Sequence, residues 1–425
     1  MSTIGAEPPH LVTDVPGPRS RALAARLERV ESRNVTCTVP TPPIFWERAV
    51  GANVWDVDGN RYVDLTSGFG VANAGHAHPE VVRALAEQSA RLLHAMGDVH
   101  PAEAKVELLE EIARRYPGGV PARSVLGSSG SDAVEIALKT ALLATGRPGV
   151  VAFEGAYHGL SLGALDATWR PFFRDPFQAR LPGATVFARF GELDDVARAA
   201  SACPVPVGAV IVEPIQGRGG ERIPPRGFLA GLRALCDREG WLLIADEVYT
   251  GFGRTGRWFA CDHEDVVPDL LCLAKGLASG MPISACAGRS EVMDAWPPAR
   301  GEALHTQTFL GHPPACAAAL ASLRVIAEEQ LVERSAQTGA RSLAHLERRF
   351  AGRPGVREVR GLGLLLAVEL DEPERADALC SQALARGVIA LLSGDDARVL
   401  SLTPPLSIDP DLLLAAIDRI AAGLS

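Results

Sequence analysis

The sequence predicts an α/β protein with a mostly parallel central sheet flanked by helices, joined to a smaller α+β domain formed from both termini. Three observations carry that expectation. Short apolar runs at 124–126, 150–153, 209–212, 242–245, 270–273 and 284–287 alternate with helical segments. Buried strands separated by helices belong to parallel sheets covered on both faces. The chemically unusual residues follow the ends of these runs, where open α/β sheets collect ligands. Strand-like segments of another kind flank the repeat: WERAVGANVWDVDGNRYVDL before it and LLLAVEL after it.

Taken in order, residues 1 to about 40 are rich in Pro and polar residues, with one helix expected over 21–33. They read as a mobile arm or a strap against a partner. The alternating segment at 46–64 turns at a DG pair, which marks a hairpin. Segments 80–94 and 103–116 space their apolar residues as helices do. After the strand repeat, ACAAALASLRVIAEE predicts a long helix leading into the C-terminal part. The expected division is 1–64 (arm and part of the small domain), 65–315 (large domain) and 316–425 (C-terminal small domain).

Composition narrows the functional classes. A chain of 425 residues is long for one core, and 47% hydrophobic with 22% charged residues is ordinary for a soluble enzyme. No apolar run is long enough for a membrane helix. A net charge of −9, with scattered basic residues, argues against a nucleic-acid partner. The N-terminus lacks a basic-then-apolar signal, so a cytoplasmic location is expected. Eight cysteines without a CxxC pair read as reduced, packed thiols, and no metal site is expected. Of 42 basic residues, only Lys105, Lys139 and Lys275 are lysines. A chain that replaces lysine with arginine, as GC-rich genomes do, keeps its few lysines for a reason.

Lys275, in DLLCLAKGLASG, ends an apolar strand at a Gly-rich turn. Burial disfavours an ammonium and makes lysine a Schiff-base former. Asp246, in WLLIADEVYTGFGRTG, ends another such strand. It either caps a turn or meets a cation, such as a pyridinium nitrogen kept protonated as an electron sink. Its neighbour Glu247 suits a structural ion pair. The GSSGS loop at 127–131 follows a strand and opens a helix, so Ser129, Gly130 and Ser131 are candidates to hold a phosphate; a capped turn would look the same. Tyr157 and His158 follow a further strand, where an aromatic ring either stacks on a flat ligand or packs in the core. Glu213 is another strand-end carboxylate. Thr308 offers a hydroxyl that could reach a phosphate.

Together these segments resemble the class III aminotransferases, which have the pyridoxal-phosphate (PLP) fold type I architecture. The order is specific: Gly/Ser loop, YHG, VEPIQG, DEV-x-TGFGRTG, LAKGL, then T-F-x-G-x-P. The resemblance implies that Gly130 and Ser131 bind phosphate, Tyr157 stacks on the cofactor ring and Val248 packs behind it. Asp246 would pair with the ring nitrogen, and Lys275 would carry the cofactor covalently. It also implies a homodimer in which Thr308 reaches the neighbouring site.

Departures from the family pattern bear on the substrate. Relatives that take ω-amino acids often carry Glu where this chain has Arg218, and Arg where it has Ser401. Many carry Gln at the position of Tyr249. The usual carboxylate clamp is therefore missing or has moved to Arg218. An amino donor such as glutamate and a carbonyl acceptor are expected. At least one partner would lack the usual carboxylate, as in the amino-sugar aminotransferases of antibiotic biosynthesis. Racemases and epimerases share the scaffold, so isomerisation with Tyr249 or His158 as second acid stays open beside transamination.

Overall fold

In the computed structural model, which describes residues 5–37 and 41–424, the chain forms three sheets. The first four residues of the expected arm lie outside the described residues. Strands β1 (Trp46–Val50), β2 (Asn53–Asp56) and β3 (Arg61–Asp64) form an antiparallel meander. The arm before it is tied to this same chain. The Glu7 N–H donates to Asn53 Oδ1, the Val12 and Thr13 N–H groups to Asn60 Oδ1, and the Ser20 N–H to Asp58 Oδ2. The expected helix at 21–33 is Pro18–Leu27 instead. It starts on a proline, whose missing N–H costs nothing in a first turn.

The central sheet has seven strands: β4 (Ala122–Gly127), β5 (Gly149–Phe153), β6 (Thr185–Ala188), β7 (Val207–Val212), β8 (Leu242–Asp246), β9 (Leu270–Leu273) and β10 (Ser284–Arg289). Their order is β4-β10-β9-β8-β7-β5-β6. All neighbours pair in parallel except β10, which opposes both β4 and β9. Strands β7 and β9 are buried along their whole length, as two-sided coverage by helices requires. The edge strand β6 was not among the expected runs. Its sequence, TVFA, is short and half-buried.

The third sheet, β11 (Val356–Leu362), β12 (Leu365–Leu370), β14 (Leu391–Ser393) and β15 (Val399–Leu402), is antiparallel. Strand β13 (Val388–Ile389) instead pairs in parallel with β3, so segments from both ends of the chain share one sheet. The expected long helix is Pro313–Glu328. Arg254, fully buried, joins the parts. Its guanidinium donates to the Leu364 carbonyl at 3.0 Å, the Pro404 carbonyl at 2.5 Å and Asn73 Oδ1 at 2.8 Å. Burial lowers this arginine to about 10. Cys236, Cys261, Cys272, Cys286 and Cys316 are buried and unbridged. Among the described residues, no helix is long and apolar enough to cross a membrane, and no cluster suits a metal ion.

Candidate active site

Four adjacent parallel strands, β5, β7, β8 and β9, end on one side of the sheet. Their carboxyl ends deliver Tyr157 and His158, Glu213, Asp246 and Lys275 in turn. Strand β4 ends beside them and leads through Ser129 into the helix Gly130–Thr145. These residues line one cavity of about 860 Å³, together with Val248, Tyr249, Arg218 and Ser401. Thr308 does not line it; the residue is exposed, and its neighbour Gln307 bonds Ser128 Oγ at 2.8 Å.

Asp246 is nearly buried, at 4% exposure. Its Oδ2 lies 2.7 Å from His158 Nδ1, and its Oδ1 accepts from the Val248 N–H at 3.1 Å. His158 is therefore a hydrogen-bond partner of Asp246. Its Nε2 is buried without a hydrogen bond. Glu213 accepts from the Tyr157 and Gly217 N–H groups at 3.0 and 3.2 Å. Burial pushes this carboxyl up to about 7, and nearby His158 draws it back.

Lys275 makes no hydrogen bond or ion pair to a described residue. Its Nζ lies 4.7 Å from the centroid of the Tyr249 ring. Burial pulls its pKa below the ordinary lysine value, against the opposing pull of Asp246 and Glu213. A larger share of the neutral amine is thus available at neutral pH. The backbone there is left-handed, with φ +41° at Lys275.

The cavity suits a flat ligand carrying a phosphate. The first-turn N–H groups of Gly130 and Ser131 find no backbone acceptor among the described residues, as the start of a helix dictates, and the helix dipole favours an anion there. Gly130 keeps the cradle open, because a Cβ on it would come within 2.9 Å of Val248 Cγ1. The helix is capped by Ser129 Oγ, which accepts from the Asp132 N–H. Ser129 thus has a local role as well. A buried carboxylate, a phosphate-sized helix start and an unpaired amine fit PLP.

Arg218 is exposed. Its guanidinium sits 4.8 Å from the Tyr157 ring centroid and 5.9 Å from that of Phe173, and it has no carboxylate in ion-pair contact among the described residues. Ser401, on β15, donates to Glu221 Oε1 at 2.5 Å. Ser393 donates to Glu221 Oε2 at 2.6 Å. Sequence reasoning missed both Glu221 and Ser393. The signal for Glu221 was a carboxylate three residues beyond Arg218 in the same Gly-rich loop; Ser393, far along the chain, gave none.

The family model described as Aminotransferase class-III matches residues 36–424. A 5-aminovalerate aminotransferase of Pseudomonas aeruginosa is 41% identical, over 88% of this chain and 91% of that protein. A 4-aminobutyrate aminotransferase of Mycobacterium leprae is 40% identical, over 97% of each. Among solved structures, the ornithine aminotransferase of Toxoplasma gondii superposes with a TM-score of 0.88 at 30% identity, covering 96% of both chains. An omega transaminase of Pseudomonas jessenii in complex with PMP gives 0.87 at 28% identity, over 95% of this chain and 97% of that one. With the cavity and the fold agreeing with these matches, the chain belongs to the class III aminotransferases, PLP-dependent enzymes of fold type I.

Proposed function

We propose that this aminotransferase takes its amino group from a carboxylated donor such as glutamate and exchanges it with a partner that lacks the usual carboxylate. Amines, aldehydes and amino sugars are the class in view. The observation that carries this reading is the pair of altered clamp positions. Arg218 offers an unpaired guanidinium over Tyr157, while Ser401 is bonded to a carboxylate and not to a cation. Guanidinium and carboxylate match in a two-point geometry that fixes a donor's orientation.

PLP supplies an electron sink for the carbon that bears the amino group. Gly130 and Ser131 would hold its phosphate through backbone N–H groups, with Thr308 contributed by a second copy of the chain. Tyr157 and Val248 would flank the ring, and Asp246, steadied by His158, would keep the ring nitrogen protonated. Lys275 would hold the cofactor through its amine, and its Nζ is the group placed to take a proton from the donor carbon and return one. Glu213 orients the Tyr157 segment through its N–H.

Both half-reactions of the Arg218→Ala variant test the reading. The KM for glutamate should rise about tenfold, toward the low end for a charge-assisted bond because Arg218 is exposed. The effect should be confined to that half. Equal effects on both halves, or none, would refute the donor role. Formation of pyridoxamine phosphate from either substrate separates transamination from racemisation, which leaves the cofactor unchanged.

A further inference from the structure

We infer that the amine substrate carries a second, protonated amino group at its far end, and that Glu221 recognises it. This rests on the reading of the cavity as a transamination site whose second substrate lacks a carboxylate.

Glu221 lines the cavity yet is only 1% exposed. Its position is built. The Glu221 N–H donates to the Gly217 carbonyl at 3.1 Å, and Gln216 and Arg222 bridge the base of the loop. The backbone at Glu221 is left-handed, at φ +48°, a conformation that a side chain with a Cβ holds only where its surroundings enforce it. Arg360 enforces it. Its Nε donates to the Gly220 and Glu221 carbonyls at 3.0 and 3.1 Å, and Glu369 anchors the guanidinium at 2.7 Å.

The Glu221 carboxylate itself is treated differently. Among the described residues, only two neutral hydroxyls, Ser393 and Ser401, bond it. Arg360 spends its hydrogen bonds on backbone carbonyls and on Glu358 and Glu369. A buried carboxylate with no cation in ion-pair contact is costly, and burial pushes Glu221 up to about 7 against the weaker pull of its two serine hydroxyls and of Arg360. An ammonium entering the cavity would supply the direct ion pair that Arg360, held on backbone carbonyls, Glu358 and Glu369, does not make. A carboxylate entering the same end would meet a like charge.

Tyr249 sets the spacing. Its ring faces Lys275 Nζ at 4.7 Å, and its hydroxyl reaches Thr403 Oγ1 at 3.4 Å. Thr403 follows β15, the strand that carries Ser401, and Ser401 itself also lies against the Tyr249 hydroxyl. One phenol ring therefore separates the reacting nitrogen from the Glu221 group. The substrate that fits holds its two nitrogens apart by a short chain or a ring.

Matched triads of amino substrates test this. Putrescine, butylamine and 4-aminobutyrate differ only at the far end, as do cadaverine, pentylamine and 5-aminovalerate. Each is given alone to the holoenzyme, and conversion to pyridoxamine phosphate is followed by absorbance. Calorimetry of the PLP-loaded Lys275→Ala protein, which cannot turn over, gives binding of the same compounds. In at least one triad the diamine should exceed both relatives by about tenfold or more in half-reaction efficiency and in affinity. Glu221→Gln should bring the diamine-to-monoamine ratio to within about threefold, and Glu221→Asp should restore part of it. A residue that merely tied the loop would not move that ratio. Diamines no better than monoamines in the wild-type protein, or amino acids ahead of them, overturn the inference with no variant needed. Glutamate conversion without a diamine advantage would sink this inference and leave the donor reading standing. A diamine advantage in binding without glutamate conversion would do the reverse.

Discussion

Asp246 takes two hydrogen bonds before any ligand arrives, from His158 Nδ1 and from the Val248 N–H. Those contacts fix the carboxylate at the end of β8. Asp246→Asn keeps the shape and removes the charge. Turnover should fall by at least ~100-fold, on the order of 3 kcal/mol in the barrier, if that charge keeps the ring nitrogen protonated. The PLP content of the purified protein should fall much less, and near-normal turnover would assign Asp246 a structural role. Asp246 and Lys275 were legible in the sequence because each is a charged residue ending a run of Leu, Ile or Cys, a placement that burial alone cannot explain. The bond to His158 was not legible, since 88 residues separate the pair. Nor was Glu221, whose distance from Arg218 along the loop says nothing of the turn that carries it to Ser401.

At the scale of elements, the central strands were legible from two-sided burial, which leaves an unbroken apolar run. The edge strand β6 escaped because an edge needs no such run. The strand ends also concentrate buried acid. Glu247, next after β8, accepts from the Cys261 N–H at 2.8 Å and from the Thr250 hydroxyl, joining β8 to the turn at Ala260–Glu264. Burial pushes it up to about 7. A carboxyl raised on folding stays protonated in the native state over a range where the unfolded chain has lost the proton. Its contribution is complete below the ordinary carboxylate pKa and is lost as pH rises through about 7. The slope in that window is at most about 1.4 kcal/mol per pH unit. Thermal unfolding of the apoprotein should therefore show Glu247→Gln losing less stability than wild type between about pH 5 and pH 7. Parallel curves for the two proteins would contradict the raised pKa.

At the scale of the molecule, the single chain leaves an apolar face beside its cavity. Leu93, Met96 and Val99 are exposed on one segment, Leu304 and Phe309 on another, and Phe69 is exposed while lining the cavity itself. The two segments touch, with the rings of His94 and Phe309 5.5 Å apart. Exposed apolar surface of this kind marks an interaction site. The Ser128–Ser131 loop adjoins the second segment through the Ser128–Gln307 bond, and Thr308 is exposed and does not line the cavity described above. Both facts suit a closed two-fold dimer in which each copy completes the other's phosphate site. Mixing two inactive variants tests the arrangement. Lys275→Ala removes the amine from its own site, and Thr308→Glu places a negative charge against the phosphate of the neighbouring one. In a mixed dimer, the copy that keeps Lys275 receives the unaltered Thr308 of its partner, so one site in two is whole. After unfolding and refolding a one-to-one mixture, half the dimers should be mixed, and activity should return to about a quarter of wild type. If Thr308 served its own chain's site, the mixture would stay as inactive as its parents. Sedimentation of the same sample would establish that dimers had re-formed, so that a negative result weighs against the shared site and not against assembly.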